Sequence, residues 1–451
     1  MNPSKRHFLT SAGLLGSAAL ASALLPREQA WAGDYKALVV VTLDGGNDGH
    51  NLLVPMDAAY ADYARARTDV LAIPKDSLAP LSGSFIGHQF GLHPGLKPVA
   101  ELFNQERVAV LANAGALIQP ATPEQVRERS VRLPPFLMSH NDQTSFTQGA
   151  VEDTSGWAGR GLERLPSPLK NRVAAITMNN QRTLVQGQST AVSFLNGVGD
   201  VWWSRSDLLN EANPYTQAIM RMGRLQFSND YEREYAKTLG YTLDDAVLFA
   251  KAGQIAKEPA ADFGDLGDWF TRQAHDLAML LPVFKSLGLK RQVFQLSFGG
   301  FDHHTGQRGS TAMTQDGMLA TLGRVLRAFD ESVRASGMDR EVVTLVMTEF
   351  GRTLRPGSGN GSEHAWGTHF LAMGGAVQGG QVLGSFPSLV LGGPDDVDEG
   401  QNGRFVPTIG TDQIGASLFN WMGLPNGSFE KVFPYLKYHK DQLLPLVHAG
   451  A

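Results

Sequence analysis

The feature of the sequence that most constrains the fold is a set of short β-branched runs, each of which stops at a polar or glycine-rich cluster. These runs cover residues 37–43, 108–111, 173–178, 292–298 and 342–347. Short apolar runs without polar alternation are typical of strands buried on both faces of a parallel sheet. Amphipathic stretches lie between them, including an apolar helical stripe over residues 319–333. The alternation predicts an α/β fold, a three-layer sandwich with a central, mostly parallel sheet.

Residues 196–241 interrupt this alternation, because they are polar, carry scattered aromatic residues and lack strand-like runs. We expect a helical insertion or cap over the sheet in this segment, with an irregular flank as the alternative. No repeat and no linker divides the chain. Residues 33–451 are therefore predicted to form a single domain.

Residues 1–32 have the three parts of an export signal: a basic start at Lys5 and Arg6, a run rich in Gly, Ala and Leu, and a small-x-small cleavage site at residues 30–32. Residues 4–9 are similar to a twin-arginine box, with Lys in place of the first Arg. This favours export of the folded protein, and an ordinary export signal is the alternative. We expect a periplasmic or secreted protein that uses the export machinery.

The composition argues against two classes of partner. No run approaches 18 uninterrupted apolar residues, so we expect no stable membrane span. The formal net charge is −5, and residues 1–32 carry three basic and one acidic side chain, which leaves −7 for the rest. Such a chain has no basic field for nucleic acid. It also contains 0 Cys, so no thiol can mispair in an oxidising compartment.

Carboxylate and imidazole side chains cluster directly after the predicted strands, and another imidazole follows further along the chain. The candidate metal ligands are Asp44, Asp48, Asp302, His304, Glu349 and His364. Ligands of open parallel sheets bind beyond the carboxyl ends of the strands, which meet at one edge. Carboxylates and imidazoles without sulfur suit zinc, manganese or iron. The pattern predicts one or two divalent ions at this edge.

Each cluster also has a purely structural alternative. These alternatives are a glycine-rich turn for Asp44 and Asp48, a solvated loop for residues 302–304, an ion pair for Glu349 and Arg352, and a core position for His364. Their shared position after strand ends favours the metal site.

Six short segments, in this order, resemble the motif set of an exported family called domain of unknown function 1501. They are residues 45–49 (GGNDG), 139–143 (SHNDQ), 156–160 (GWAGR), 301–307 (FDHHTGQ), 349–352 (EFGR) and 374–380 (GGAVQGG). Together they span nearly the whole chain after the export signal. That family in turn resembles the alkaline phosphatase and sulfatase superfamily, whose fold has a central, mostly parallel sheet with a metal site at strand ends.

The resemblance also implies roles for individual residues. Either Asp44 or Asp48 matches the first-strand metal ligand of the superfamily, and Asp48 is favoured because it lies in the family motif. Asp302 and His304 match the mid-chain ligands, and His364 matches the last histidine ligand. Glu349 stands where the superfamily has a ligating aspartate.

The superfamily nucleophile is a Ser, Thr or modified Cys at a helix N-terminus, where backbone N–H groups stabilise an anionic group. Ser139 is the candidate here, Thr144 and Ser145 are the alternatives, and a helix N-cap is its structural alternative. Arg352 would bind the oxyanion through two hydrogen bonds. The absence of cysteine excludes a Cys-derived nucleophile.

These features predict an exported, metal-dependent hydrolase of phosphate or sulfate esters, acting on a small ester or a glycan-linked substrate. The alternative is a non-catalytic family member that binds carbohydrate or the cell envelope, or assists assembly. Phe350 favours this alternative because it occupies the position of a histidine ligand in the superfamily. The short spacing from Asp302 to His304 favours it as well.

Overall fold

The computed structural model describes residues 35–150, 154–198, 210 and 212–448. The predicted export signal in residues 1–32 lies outside the described residues. The strands of the described part are β1 (Lys36–Asp44), β2 (Leu53–Pro55), β3 (Ala79–Pro80), β4 (Phe90–Leu92), β5 (Val108–Gly115), β6 (Ala175–Thr177), β7 (Val192–Phe194), β8 (Arg291–Gly299), β9 (Val342–Met347), β10 (Thr368–Met373), β11 (Gln381–Gly384) and β12 (Ile409–Gly410).

A nine-stranded sheet forms the centre of the molecule, in the order β11–β5–β10–β9–β1–β8–β6–β7, with β12 also paired to β5. Strand β10 runs antiparallel to both of its neighbours, β5 and β9. The other pairs in this sheet are parallel. Strands β2, β4 and β3 form a separate antiparallel sheet.

Helices pack on both faces of the central sheet. The helices of the described part are α1 (Gly49–Leu52), α2 (Tyr60–Leu71), α3 (Lys97–Asn104), α4 (Pro123–Arg127), α5 (His140–Gln148), α6 (Trp157–Arg164), α7 (Pro214–Met222), α8 (Asp230–Ile255), α9 (Trp269–Ser286), α10 (Gln315–Ala335), α11 (Thr411–Met422) and α12 (Phe429–Val432).

Alternate residues of β1 belong to two different hydrophobic cores. Val39 and Val41 pack with α3, α9 and α10, whereas Leu38 and Val40 pack with α6, α11 and α12. Side chains alternate between the faces of a strand, so this division places one helical layer on each side of the sheet. The predicted three-layer α/β fold with a mostly parallel sheet is confirmed.

The described part of residues 196–241 contains α7 and the first half of α8. Helix α8 contacts α7 and α9. A cap over the sheet stays a prediction. Among the described residues, none of the helices has the length and apolar character needed to cross a membrane.

The sheet directions bring several loops to one edge. Strands β1, β8 and β9 are mutually aligned, so their carboxyl ends at Asp44, Gly299 and Met347 meet there. Because β10 runs the opposite way, its first residue, Thr368, reaches the same edge. The chain just before β10 therefore lies near the chain just after β1, β8 and β9.

Asp412, in the first turn of α11, offers a test of the packing on the second face. Its side chain is buried, and one carboxylate oxygen accepts a hydrogen bond from the backbone N–H of Tyr435. Burial raises the pKa of Asp412 to about 7, although backbone N–H groups and Arg160 oppose the shift. The folded protein thus holds this proton more tightly than the unfolded chain does.

The contribution of Asp412 to the free energy of unfolding should therefore fall as the pH rises from about 4 to about 7, by up to about 1.4 kcal/mol per pH unit. We expect the Asp412→Asn variant to lose this part of the slope, because Asn cannot ionise but can still accept from Tyr435. Urea unfolding across this pH range measures it. An unchanged slope would contradict the prediction.

Candidate metal centre

Three side chains from separate loops bring their potential ligand atoms within 4.8 Å of one another: His140, Asp302 and His364. Asp302 follows β8, His364 precedes β10, and His140 begins α5. Asp302 lies between the two rings, with Oδ2 3.5 Å from His140 Nε2 and Oδ1 3.3 Å from His364 Nε2. The side chain of Asp302 is 46% exposed, so the centre opens to solvent.

A fourth side chain, His304, adjoins two members of this group. Its Nε2 lies 3.0 Å from Asp302 Oδ1 and 3.1 Å from His364 Nε2. Three of the six predicted ligands, Asp302, His304 and His364, are therefore in mutual contact.

Hydrogen bonds on the far side of each ring determine which nitrogen faces the centre. His364 Nδ1 lies 2.8 Å from the carbonyl oxygen of Met138, which can only accept, so Nδ1 carries the hydrogen. The other two Nδ1 atoms face carboxylates, His304 Nδ1 at 2.8 Å from Glu363 and His140 Nδ1 at 2.9 Å from Glu349. In the neutral rings all three Nε2 lone pairs therefore face the centre, as in metal sites whose histidines are oriented by an acceptor.

This donor set fits a divalent metal ion. Four ligands at 2.0–2.1 Å from a tetrahedral zinc lie about 3.3 Å from one another, and the contacts with Asp302 and between His304 and His364 span 3.0–3.5 Å. Two imidazole lone pairs 3.1 Å apart repel each other unless a cation or a proton lies between them. Nitrogen and oxygen donors without sulfur suit zinc, manganese or iron.

Different neighbours shift the pKa values of Asp302, His364 and His140 in different directions. Partial burial raises the pKa of Asp302, but Arg352 and the neighbouring imidazoles outweigh it and hold that pKa at about 2. Burial lowers the pKa of His364, which favours the neutral ring that a metal requires. The hydrogen bond to Glu349 raises the pKa of His140, so protons compete most strongly at this ring.

Arg352 is buried and contacts Asp302. Its side chain is 1% exposed, and its guanidinium donates to the carbonyl oxygens of Gly46 and Ser362, each at 2.8 Å. It also donates to Gly45 O and to Asp302 Oδ1. These contacts engage all three nitrogens, and the predicted role of Arg352 in binding an oxyanion stays a prediction. Arg352 holds the Asp302 carboxylate in position and links three loops by hydrogen bonds.

Glu349 orients a ligand and lies outside the group of mutually close ligand atoms. Its Oε1 lies 2.9 Å from His140 Nδ1 and accepts from the backbone N–H of Gly45 at 2.9 Å. Its other oxygen accepts from Thr348 Oγ1 at 3.0 Å. Burial raises the pKa of Glu349, but the hydrogen bond from His140 and those from its backbone and side-chain donors lower it overall. The carboxylate is thus a hydrogen-bond partner of His140, and its role as a metal ligand stays a prediction.

Asp48, the favoured first-strand ligand, is engaged in a buried ion pair. Its side chain and that of Arg67 are 2% and 0% exposed and in contact. It also accepts from Gln307 Nε2 at 2.6 Å and from the backbone N–H of His50 at 3.0 Å. Because a buried carboxylate needs a charged partner, Arg67 occupies it. Asp48 therefore lies outside the group of close ligand atoms, and its role as a metal ligand stays a prediction.

Asp44 is the last residue of β1, and it lies outside the group of mutually close ligand atoms. Its carboxylate accepts from Gln181 Nε2 at 2.8 Å and from Ser297 Oγ. Burial raises its pKa to about 6, those two hydrogen bonds oppose the shift, and the charge of Glu349 adds to it. The structure therefore does not bring either Asp44 or Asp48 together with Asp302 as a ligand.

Ser139, the predicted nucleophile, immediately precedes His140 and α5. It is the N-cap residue of this helix, and its side chain is partly exposed. Its hydroxyl donates to Asp142 Oδ2 at 2.5 Å.

Phe350 forms an apolar wall of the centre, at the position where a histidine was expected. Its buried ring lies 4.8 Å from the ring of His140 and 4.6 Å from that of His364. A Cβ atom on Gly46 would approach the Phe350 ring to 2.3 Å, so the glycine is required for this wall. The wall keeps water from one side of the two imidazoles.

His140 is a candidate ligand that was not predicted from the sequence. Its signal was present, because His140 lies in the SHNDQ motif, but that motif was assigned to the nucleophile alone. The residue follows no strand, so a search at strand ends does not find it. Helix α5 carries it to the centre.

The sequence matches a family model described as "Protein of unknown function (DUF1501)" over residues 35–398. The chain belongs to this family. The family predicted from the six motifs is therefore confirmed. No curated protein is significantly similar to the sequence.

Several solved structures are similar to this chain at low identity and low TM-score. One is a protein in the alkaline phosphatase superfamily from Vibrio parahaemolyticus, which is 9% identical to this chain. The match covers 87% of this chain and 67% of that protein, with a TM-score of 0.30. A sulfatase from Pseudoalteromonas sp. is 12% identical, with 88% and 73% covered and a TM-score of 0.34. A phosphonate monoester hydrolase from Silicibacter pomeroyi is 9% identical, with 87% and 74% covered and a TM-score of 0.29. At these scores the similarity assigns no function and no site residue to this chain.

The buried Asp48–Arg67 pair leads to a prediction about the free energy of unfolding. Arg67 also donates to the carbonyl oxygens of Thr353 and Leu354, each at 3.2 Å, so it links α2 to the loop after Arg352. Arg67→Met leaves the Asp48 charge buried without its partner and should lower the free energy of unfolding by about 3–5 kcal/mol. Denaturant unfolding measures the loss.

A matched control lies in the same helix. Arg65 pairs with Asp62 at 2.7 Å, and its side chain is 74% exposed, so Arg65→Met should cost less than about 1 kcal/mol. The double variant Asp48→Asn/Arg67→Met should recover part of the loss, because no buried charge then remains. Equal costs for Arg67→Met and Arg65→Met would contradict the prediction.

Proposed function

We propose that this protein is a divalent-metal-dependent hydrolase of phosphate or sulfate esters that is exported and works in the periplasm or outside the cell. The observation that carries the proposal is the convergence of three Nε2 atoms on Asp302, with every Nδ1 bound by an acceptor on the far side. An ion held by these four side chains would accept substrate as a fifth ligand, because catalytic zinc can expand to five-coordinate geometry. The exposed side of Asp302 provides access.

His140, Asp302, His304 and His364 would hold one ion, for which zinc, manganese and iron are the candidates. When bound, such an ion lowers the pKa of a coordinated water and polarises an ester oxygen. Glu349 and Glu363 orient the rings of His140 and His304, and the Met138 carbonyl orients that of His364. Arg352 keeps Asp302 ionised, and Phe350 keeps water from one side.

Ser139 supports a covalent route for the same reaction. Met138, on one side of it, contacts His364 through its carbonyl, and His140, on the other side, contacts Asp302. We propose that the hydroxyl between these two residues attacks an ester bound at the centre. A small ester or a glycan-linked ester is the proposed substrate.

A second candidate function is non-catalytic binding of carbohydrate or of the cell envelope, or assistance in assembly. Arg352 favours it, because the guanidinium expected to bind an oxyanion donates instead to the protein's own loops. Bound metal without turnover of any ester would support this candidate over the hydrolase.

The ligand set can be tested by variants. Elemental analysis of the exported protein should find about one bound metal equivalent, and His304→Ala and His364→Ala should each remove metal and ester hydrolysis together. Glu363→Gln should weaken metal binding by about 10–100-fold, because Glu363 orients His304. Aryl phosphate, phosphodiester and aryl sulfate substrates report the activity.

His88 provides the control. It pairs with Asp57 at 2.9 Å, so it also has a carboxylate partner, but it lies outside the group of ligand atoms. His88→Ala should leave metal content and turnover unchanged. Protein that is free of metal and inert on all the esters would refute the proposed function.

The proposed export signal leads to a separate prediction about cleavage and location. The mature protein recovered outside the cytoplasm should begin at Gly33, and replacement of Lys5 and Arg6 by Gln should retain the full chain in the cytoplasm. Intact mass after cell fractionation measures both. A full-length chain recovered from the periplasm would contradict the predicted cleavage.

A further inference from the structure

Five buried side-chain atoms on one face of the central sheet lack a hydrogen-bond partner within the described part of the chain. They are Gln143 Nε2 and Oε1, Gln295 Oε1, Asn179 Nδ2 and Gln181 Oε1. Gln143 and Gln295 are 0% exposed, and Asn179 is 8% exposed. An unpaired buried polar group destabilises the folded state, and the large majority of such groups in native proteins are hydrogen-bonded. These five atoms therefore need a further partner.

The sheet brings three of the amides together. Gln295 pairs in register with Val40 of β1 and with Thr177 of β6, so the three side chains point to the same face of the sheet. Helices α6, α11 and α12 cover this face. Thr177 Oγ1 donates to the carbonyl oxygens of Asn179 at 3.0 Å and Gln181 at 2.5 Å, which holds the loop after β6 against the same face. The unpaired amide groups of this loop thus lie beside Gln295.

Helix α5 covers the same part of the sheet. Gln148, at its end, accepts through Oε1 from Gln295 Nε2 at 3.2 Å. His140, at its start, lies 3.5 Å from Asp302 in the loop after β8. Gln143 lies in the helix between these two contacts, and three of the four buried residues of α5 are polar. A helix ordinarily packs on a sheet through an apolar stripe, so a polar layer separates α5 from the sheet here.

The unpaired groups in this layer are a mixture of donors and acceptors. Gln143 and Asn179 supply N–H groups, whereas Gln143, Gln181 and Gln295 supply carbonyl oxygens. A cation would leave the N–H groups unpaired and an anion would leave the oxygens unpaired, but water both donates and accepts. Reversal of an amide leaves Gln143 with both kinds of group, so the set stays mixed. Because the five atoms are enclosed, they suit water in preference to a hydroxyl group of a sugar.

We infer that the layer between α5 and the sheet is a binding site for ordered water. Buried waters make about three hydrogen bonds each, so about two waters satisfy the five atoms. They link Gln143 of α5 with Gln295 of β8 and with the loop after β6, beside the direct contact from Gln148. Because α5 begins at His140, this water supports the helix that carries one imidazole to the candidate centre. The inference does not depend on the proposed function, since the site binds water with or without a metal or an ester.

A high-resolution crystal structure of the wild-type protein, grown without polyols, tests the site directly. We expect density for water at about 2.7–3.2 Å from the amide groups of both Gln143 and Gln295. Amides in direct contact with one another, with no water between them, would overturn the inference. Density for a larger molecule in the layer would overturn it as well.

The Gln143→Met variant tests the site in solution, because Met has a similar length and no polar group. In a hydrated layer the water loses partners, so Tm should fall by about 1–3 °C. In a dry layer the same change removes an unpaired amide, and the resulting rise in Tm would overturn the inference. Gln295→Met should also lower Tm. The double variant should lose less than the sum of the two single losses, because both amides contact the same water.

Gln254→Met is the matched control, because Gln254 is an exposed glutamine of α8. It should leave Tm unchanged. Oxygen-17 magnetic relaxation dispersion counts long-lived buried waters, and the double variant of Gln143 and Gln295 should lose about two of them relative to the wild type. Equal counts in the two proteins would overturn the inference. Every measurement uses the full chain without substrate, so an inert or metal-free protein would refute the proposed function and leave this test intact.

Discussion

The arrangement of the candidate centre depends on the buried guanidinium of Arg352. It donates to the glycine-rich loop after β1, to the loop before β10 and to Asp302 after β8, so one side chain links three segments that are distant in sequence. A cation buried to this degree needs acceptors on all sides. Those acceptors are mostly backbone carbonyls, and the only carboxylate among them is the one that faces the imidazoles.

The reversed strand β10 explains how His364 reaches the centre. In an all-parallel sheet the segment before a strand lies at the edge opposite the site. Because β10 runs against β9 and β5, the segment before it lies at the carboxyl edge of the other strands. A single reversed strand therefore supplies an imidazole from the amino side of a strand, and the loops after β1, β8 and β9 supply the rest of the surroundings.

The sequence was sufficient to predict the layers and the sheet, because buried strands leave apolar runs and helices leave stripes. It also named Asp302, His304 and His364 together, and the structure places these three side chains in contact. The sequence could not distinguish a candidate ligand from a carboxylate that pairs with another side chain. Glu349 and Asp48 have the residue type and the position of ligands, and only their contacts with His140 and with Arg67 separate them. Residue type determines which groups a side chain can bind, and the fold determines which groups lie within its reach.

The contact between Gly46 and Phe350 limits how the centre can change in related sequences. Any side chain at position 46 would overlap the phenyl ring, and Gly46 also has φ of 76°, which side chains rarely tolerate. Overpacking of this kind costs about 1–3 kcal/mol. The two positions should therefore vary together across relatives, with a larger residue at 46 accepted only where the residue at 350 is smaller than Phe. Covariation of this pair, more than the identity of either residue, would mark the chains that share this apolar wall.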